Sequence, residues 1–339
     1  MGAQVRRAQV LIVSLGGTIA STSTPSVGGV VPQLSALDLV AAVPALDDVA
    51  NVDAVSFRQV PSGDLDFADL IALAQLIETN VTSGVDGVVV TQGTDTIEET
   101  SFALDVLLDV AVPVVVTGAM RNPTLASPDG PGNLLAAVRV AAAATARGLG
   151  CLVVMNDEVH AARFVRKTHS SSLATFQSPS AGPLGWVSEE RVRIVLRCAP
   201  LAGIPVTKSD VVAPVALVTC ALGDDGRTLG GLLDLGYRGV VIDAFGGGHV
   251  PSAMVRAIEE LASTMPVVLC SRTGGGEVLS HTYGFSGSES DLLSRGVTSG
   301  GALDGRKARV ALCLALAASR GPRDAMAAFA RVRDSLSRD

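Results

Sequence analysis

The sequence predicts an α/β protein: a large N-terminal domain on a doubly wound, mostly parallel sheet, followed by a smaller C-terminal α/β domain. Three observations predict it. Short Val-rich runs alternate with stretches whose apolar residues fall at helical spacing, the signature of repeated strand–helix units. Hydrophobic residues make up 48% of the chain and charged residues only 17%, which supplies strands buried on both faces. The length of 339 residues exceeds one typical core and suits two.

Taken in order, the strand candidates are Val10–Leu15, Gly87–Thr91, Val112–Thr117, Cys151–Met155, Val215–Cys220, Gly239–Asp243 and Pro266–Cys270. Phe67–Thr79 and Ile97–Leu108 between them carry helical spacing. Around Arg197–Ala213 the periodicity lapses into a proline-containing stretch, read as a linker. The expected organisation is therefore a catalytic domain over 1–197, a linker over 198–213 and a second domain over 214–339. Val159–Ser188 and Gly274–Gly305 read as long irregular segments, a length at which loops are usually functional or disordered.

The net charge of −7, with no block of Lys and Arg, argues against a nucleic-acid groove. No apolar run approaches a membrane span. The N-terminal run after Arg6 and Arg7 is too short for a secretory h-region and leads straight into Gly16-Gly17. It reads as a first strand, with a cytoplasmic location expected. Five widely spaced cysteines without a C-x-x-C pair, and four histidines without zinc spacing, point to reduced buried thiols and to no metal or other cofactor.

In parallel sheets ligands bind beyond the carboxyl ends of the strands, and three stretches there carry chemistry. In Leu11–Ala20 a strand meets two glycines and then the hydroxyl of Thr18; alone, this is also an ordinary glycine turn. In VVVTQGTDTIEET, Thr96 and Glu99 fit a T-x-x-E capping box, which leaves Thr94 and Asp95 in the preceding turn without a capping role. In the segment after Arg163, Lys167 reads as a solvated charge unless it is desolvated, when it can serve as a base. A threonine hydroxyl needs such a base to become a nucleophile, and Lys167, held by Asp95, would serve Thr94 in that way. No G-x-S-x-G elbow competes.

At these residues the sequence resembles the bacterial-type L-asparaginase family. The resemblance rests on Gly16–Ala20, Gly93–Thr96 with Glu98-Glu99, GAMRNPTLASPDGPGNL from Gly118, VVMNDEVHAARFVRKT from Val153 and ATFQSPSAGPLG from Ala174. GEVLSHTYGF from Gly276 and GRKARV from Gly305 complete it. These motifs span nearly the whole chain in family order. The resemblance implies that Thr18 is the nucleophile that forms an acyl-enzyme. It implies that Thr94, Asp95 and Lys167 form a second cluster that assists proton transfer or positions the attacking water. Ser62, in VPSGD, would hold the substrate α-carboxylate, and Asp95 and Glu277 its α-ammonium group. Glu277 would come from a neighbouring subunit of a homotetramer built from intimate dimers.

Three positions depart from the family pattern. Ser21–Val31, the loop where many members carry an activating tyrosine, contains none. That leaves nearby serines, a tyrosine from elsewhere or Lys167 itself to activate Thr18. Gly63 stands where many members have a glutamine contacting the substrate amine. His249 replaces an asparagine after the turn Gly246–Gly248. The expected activity is hydrolysis of L-asparagine. A glutaminase or broader amidase on the same scaffold, or a non-catalytic amino-acid sensor, are the competing readings.

Overall fold

A computed structural model describes residues 6–24, 29–32 and 34–336. The chain divides into two compact units, Met1–Pro200 and Leu201–Asp339.

The first unit is built on strand β1 (Gln9–Gly16), the short β2 (Ser21–Thr24) and β3 (Gly29–Pro32), and β4 (Asn51–Val60). There follow β5 (Gly87–Thr91), β6 (Val114–Thr117), β7 (Cys151–Met155), β8 (Glu158–Ala161), β9 (Arg166–Lys167), β10 (Phe176–Gln177), β11 (Gly185–Ser188) and β12 (Arg191–Ile194). Eight of these form one sheet in the order β12-β11-β8-β7-β6-β5-β1-β4. The pairs from β7 to β4 are parallel, and β8, β11 and β12 add an antiparallel extension. β9 and β10 form a separate two-stranded ribbon.

Alternation along the strands splits the core into two layers, because successive side chains point to opposite faces. Val10, Ile12, Val89, Val115 and Leu152 meet Leu39, Leu46 and Leu134 of helices α1 (Ala36–Ala41), α2 (Leu46–Val49) and α5 (Gly130–Ala142). Leu11, Val13, Val88, Val90 and Val116 meet Leu73, Ile77, Ile97 and Leu104 of α3 (Phe67–Thr82) and α4 (Ile97–Leu107). Each fully buried Ile, Val or Leu contributes roughly 1.5–3 kcal/mol of apolar burial. Helix starts follow local chemistry: Asp66 caps α3 and closes a capping box with Asp69.

The second unit has a four-stranded parallel sheet in the order β13-β14-β15-β16, with β13 (Val215–Thr219), β14 (Gly239–Ala244), β15 (Val267–Ser271) and β16 (Thr298–Ser299). Helix α6 (Val255–Ala262) packs Ile258 and Leu261 against Val240, Ile242 and Leu269. α7 (Glu289–Ser294) adds Leu292 to the same core. α8 (Gly305–Ala318), capped by Asp304, packs on β13–β15 and on α9 (Pro322–Ser335).

Three sequence expectations require correction. Val159–Ser188 is not irregular but holds β9, β10, β11 and most of β8. Gly274–Gly305 contains α7 and β16. The third concerns Thr96: α4 does begin at Ile97, but Thr96 makes no side-chain cap bond. Its hydroxyl donates to the Ser62 carbonyl at 3.1 Å instead.

Candidate active site

The connection from β1 runs towards β4 on one side, while that from β5 runs to β6 on the other. The crevice between β1 and β5 is thus a topological switch point, the usual ligand position in such sheets. Thr18 follows β1, Thr94 follows β5, and Ser62 follows β4, so all three leave the same end of the sheet.

Glycines let these turns touch. Gly17 has φ +81°, and a Cβ there would lie 2.0 Å from the Gly93 nitrogen. A Cβ on Gly93 would in turn lie 2.9 Å from Ser62 Oγ. No side chain fits at Gly17 without moving backbone, and one at Gly93 would press on the Ser62 side chain, so the two glycines let the turns bearing Thr18, Thr94 and Ser62 meet. Thr18 is half-buried, and Ser62 and Thr94 are buried. Ser21 donates to the Gly17 carbonyl at 2.8 Å, which commits its hydroxyl to the turn. Residues 25–28 of the tyrosine-free loop lie outside the described residues.

Lys167, on β9, brings its Nζ to 2.9 Å from Thr94 Oγ1 and 2.6 Å from Asp95 Oδ1. Its side chain is largely withdrawn from solvent, whereas that of Asp95 is exposed. The three residues lie 72 and 73 positions apart in sequence, and the β9–β10 ribbon closes that distance. An amine held between a hydroxyl and a carboxylate can take or return the hydroxyl proton while the carboxylate balances its charge.

Sequence reasoning missed three supporting residues. Gln92, fully buried, donates to the Gly93 carbonyl and to Thr96 Oγ1. Asp129 accepts from the N–H groups of Met120 and Arg121, and Asn133 Nδ2 donates to the Gly118 carbonyl. The last two give the GAMRNPTLASPDGPGNL motif a physical reason: its Asp and Asn order the turn after β6. The motif was visible, but its hydrogen-bond partners were not.

Gly63 is exposed, and a Cβ there would meet nothing within 4 Å. An apolar cavity of about 90 Å³ lies behind Ile19, lined by residues including Leu39, Val43 and Leu134. Arg121 is the one charged residue in its lining, with no carboxylate to hold an ammonium group, so the crevice is the better candidate for a zwitterionic amino acid.

His160, fully buried on β8, places Nδ1 at 3.0 Å from Ser178 Oγ and Nε2 at 3.3 Å from Glu158 Oε2. Burial pushes its pKa from 6.5 down to about 4, so the ring is neutral at pH 7. As pH falls from 6.5 towards 4, the unfolded chain binds the proton that the folded chain refuses. Stability therefore declines through that window, by up to about 3 kcal/mol from this residue. His160→Asn should be less stable at pH 7.5 but lose less stability between pH 7 and 4.5, as read by urea denaturation. Equal losses in the two proteins would contradict this.

In the second unit, Glu277 is exposed in the segment after β15. His249 lies 3.2 Å from the buried Glu289 and makes edge contacts with Tyr283 and Phe285. Burial by itself raises the pKa of Glu289, but the N–H groups of Tyr283 and Thr282, with His249, hold it below the ordinary value. His249 thus packs on the Tyr283 and Phe285 rings, while Glu289 accepts the N–H groups of Thr282 and Tyr283.

Residues 9–199 match the family model described as asparaginase, N-terminal, and residues 214–329 match the glutaminase/asparaginase C-terminal domain. An L-asparaginase of Bacillus licheniformis is 34% identical, over 91% of this chain and 95% of its own. A probable periplasmic L-asparaginase of Haemophilus influenzae is 36% identical, over 93% of this chain and 90% of its own. The crystal structure of a probable cytoplasmic L-asparaginase from Campylobacter jejuni superposes with a TM-score of 0.87 at 30% identity. That match covers 96% of this chain and all of the other.

Proposed function

The chain belongs to the asparaginase family, and we propose that it is an amidohydrolase converting L-asparagine to L-aspartate and ammonia through a threonine acyl-enzyme. The observation that carries the reading is the Lys167 amine, held by Thr94 Oγ1 and Asp95 Oδ1 at the crevice that Thr18 borders.

In this reading Thr18 Oγ attacks the side-chain amide carbon, and its proton passes to the Thr94–Lys167 pair. The C–N bond then breaks, the nitrogen takes a proton and ammonia leaves, with aspartate esterified to Thr18. Water attacks the ester and gives its proton to the same pair. The C–O bond breaks, Thr18 regains its proton and aspartate departs. Ser62 binds the substrate α-carboxylate, while Asp95 and Glu277 hold the α-ammonium group. The steps use side chains and water alone.

Purified protein should release ammonia from L-asparagine faster than from L-glutamine. The two amides differ by one methylene, which a pocket alone discriminates by about 1–3 kcal/mol. The longer substrate needs more anchoring, and Gly63 offers none from a side chain. A Cβ at Gly63 meets nothing within 4 Å, and Gly63→Gln should raise the glutamine-to-asparagine ratio of kcat/KM. A wild-type preference for glutamine would favour the glutaminase reading. Binding without ammonia release would favour a sensor.

Glu277 is assigned to a neighbouring subunit's site in a homotetramer of intimate dimers, on the family resemblance. Hybrid dimers of Thr18→Ala and Glu277→Ala chains should then regain activity that neither parent has. Inactive hybrids, once their composition is confirmed, would sink that assignment. Among the described residues no helix is long and apolar enough to cross a membrane. The proposed location is the cytoplasm, in line with the solved structural relative. Recovery of the native protein from the periplasmic fraction would overturn it.

A further inference from the structure

Lys167 sits on a ribbon that pairs only Lys167 with Phe176 and Arg166 with Gln177. Two-residue strands outside the main sheet have little stability of their own. The flexible lysine side chain holds its amine at two hydrogen bonds only if its backbone is fixed relative to Thr94. Phe176 is buried in the same core cluster as Val165 and Ile97, and beside it the Thr168 N–H donates to the Thr175 carbonyl at 2.8 Å, which ties the ribbon to itself but not to α4.

Glu98 ties the ribbon to α4. It lies in the first turn of α4, 3% exposed, and its Oε2 accepts the backbone N–H of Lys167 at 3.0 Å. A buried carboxylate is costly unless it is hydrogen-bonded, and a helix N-terminus favours its negative charge. Asp105, two turns further along the same helix, is also buried. Its Oδ1 accepts the N–H of Cys151 at 2.8 Å, and its Oδ2 lies 3.6 Å from the buried Arg163. One face of α4 therefore carries two buried carboxylates that grip the start of β7 and the Arg163–Lys167 stretch. The same helix begins directly after Thr94 and Asp95, so both halves of the cluster are indexed to it.

We propose that Glu98 is a positioning residue for the reaction, fixing the Lys167 backbone so that its amine meets Thr94 and Asp95. The proposal rests on the reading that Lys167 takes part in turnover. Reach, not charge, is what it requires. Glu98→Gln keeps the reach and an acceptor oxygen, whereas Glu98→Asp keeps the charge but falls short by one methylene.

The test compares Glu98→Gln, Glu98→Asp and Lys167→Met for kcat, KM and thermal midpoint, with hydrogen exchange at the Lys167 amide. Glu98→Gln should stay within a few-fold of wild type. Glu98→Asp should lose kcat by about 100-fold, the cost of a misplacement near 1 Å, with KM little changed and faster exchange at the Lys167 amide. Full activity in Glu98→Asp alongside an inactive Lys167→Met would overturn the proposal. So would a loss in Glu98→Gln as large as that in Glu98→Asp, which would show that reach with an acceptor oxygen is not enough. Turnover retained by Lys167→Met would instead remove the lysine from the reaction and overturn the underlying reading, while accelerated exchange in Glu98→Asp would still report the hydrogen bond.

Discussion

Thr18→Ala is expected to reduce kcat by on the order of 10⁴-fold or more, the scale on which hydrolases lose activity without their nucleophile. The fold should survive. Thr18 stands in a short turn, half-buried and at the mouth of the crevice, and alanine removes a hydroxyl and a methyl group without entering the core. The neighbouring Ile19 and Ala20 supply the buried contacts of that turn. The variant should therefore unfold at a thermal midpoint close to wild type and still bind aspartate. Near-wild-type ammonia release would show that another group attacks. A collapsed thermal midpoint would show that Thr18 is needed for folding.

Thr94→Ala and Lys167→Met should each cost nearly as much as Thr18→Ala, and the double variant little more than either alone. Groups that act as a unit fail together, because removing one leaves the others without a partner. The geometry makes the unit specific: one amine bonds both the hydroxyl and the carboxylate. Losses that multiply in the double variant would mean that the two residues act independently. Steady-state kcat/KM for the four proteins closes the cycle.

The buried parallel strands were the most legible part of the chain. Gly87–Thr91 and Cys151–Met155 were read to their ends, since continuous Val-rich runs bounded by Gly mark such strands. Asn51–Val60 is far less legible, although it is the longest strand among the described residues. It lies on the sheet edge, and Asp53, Ser56, Arg58 and Gln59 break up its apolar pattern. The stretch holding β8 to β11 reads as irregular chain because these strands have two to four residues each. Thr96–Glu99 satisfied the local rule for a capping box, but the Ser62 carbonyl, 34 residues away, took the hydroxyl. Local rules cannot see such a competitor. The candidate site was legible as motifs at strand ends. The grip of Glu98 on the Lys167 backbone was not, because a backbone N–H leaves no trace in residue identity.

Rapid acid quenching during turnover of L-asparagine tests whether the substrate becomes esterified to Thr18. Peptide mass spectrometry of the quenched protein should find an aspartyl group of about 115 Da, as expected for an acyl-enzyme that has released ammonia. That group is expected on Thr18, in the peptide that follows β1. Finding it on Thr94, in the peptide that follows β5, would show that Thr94 and not Thr18 is the nucleophile.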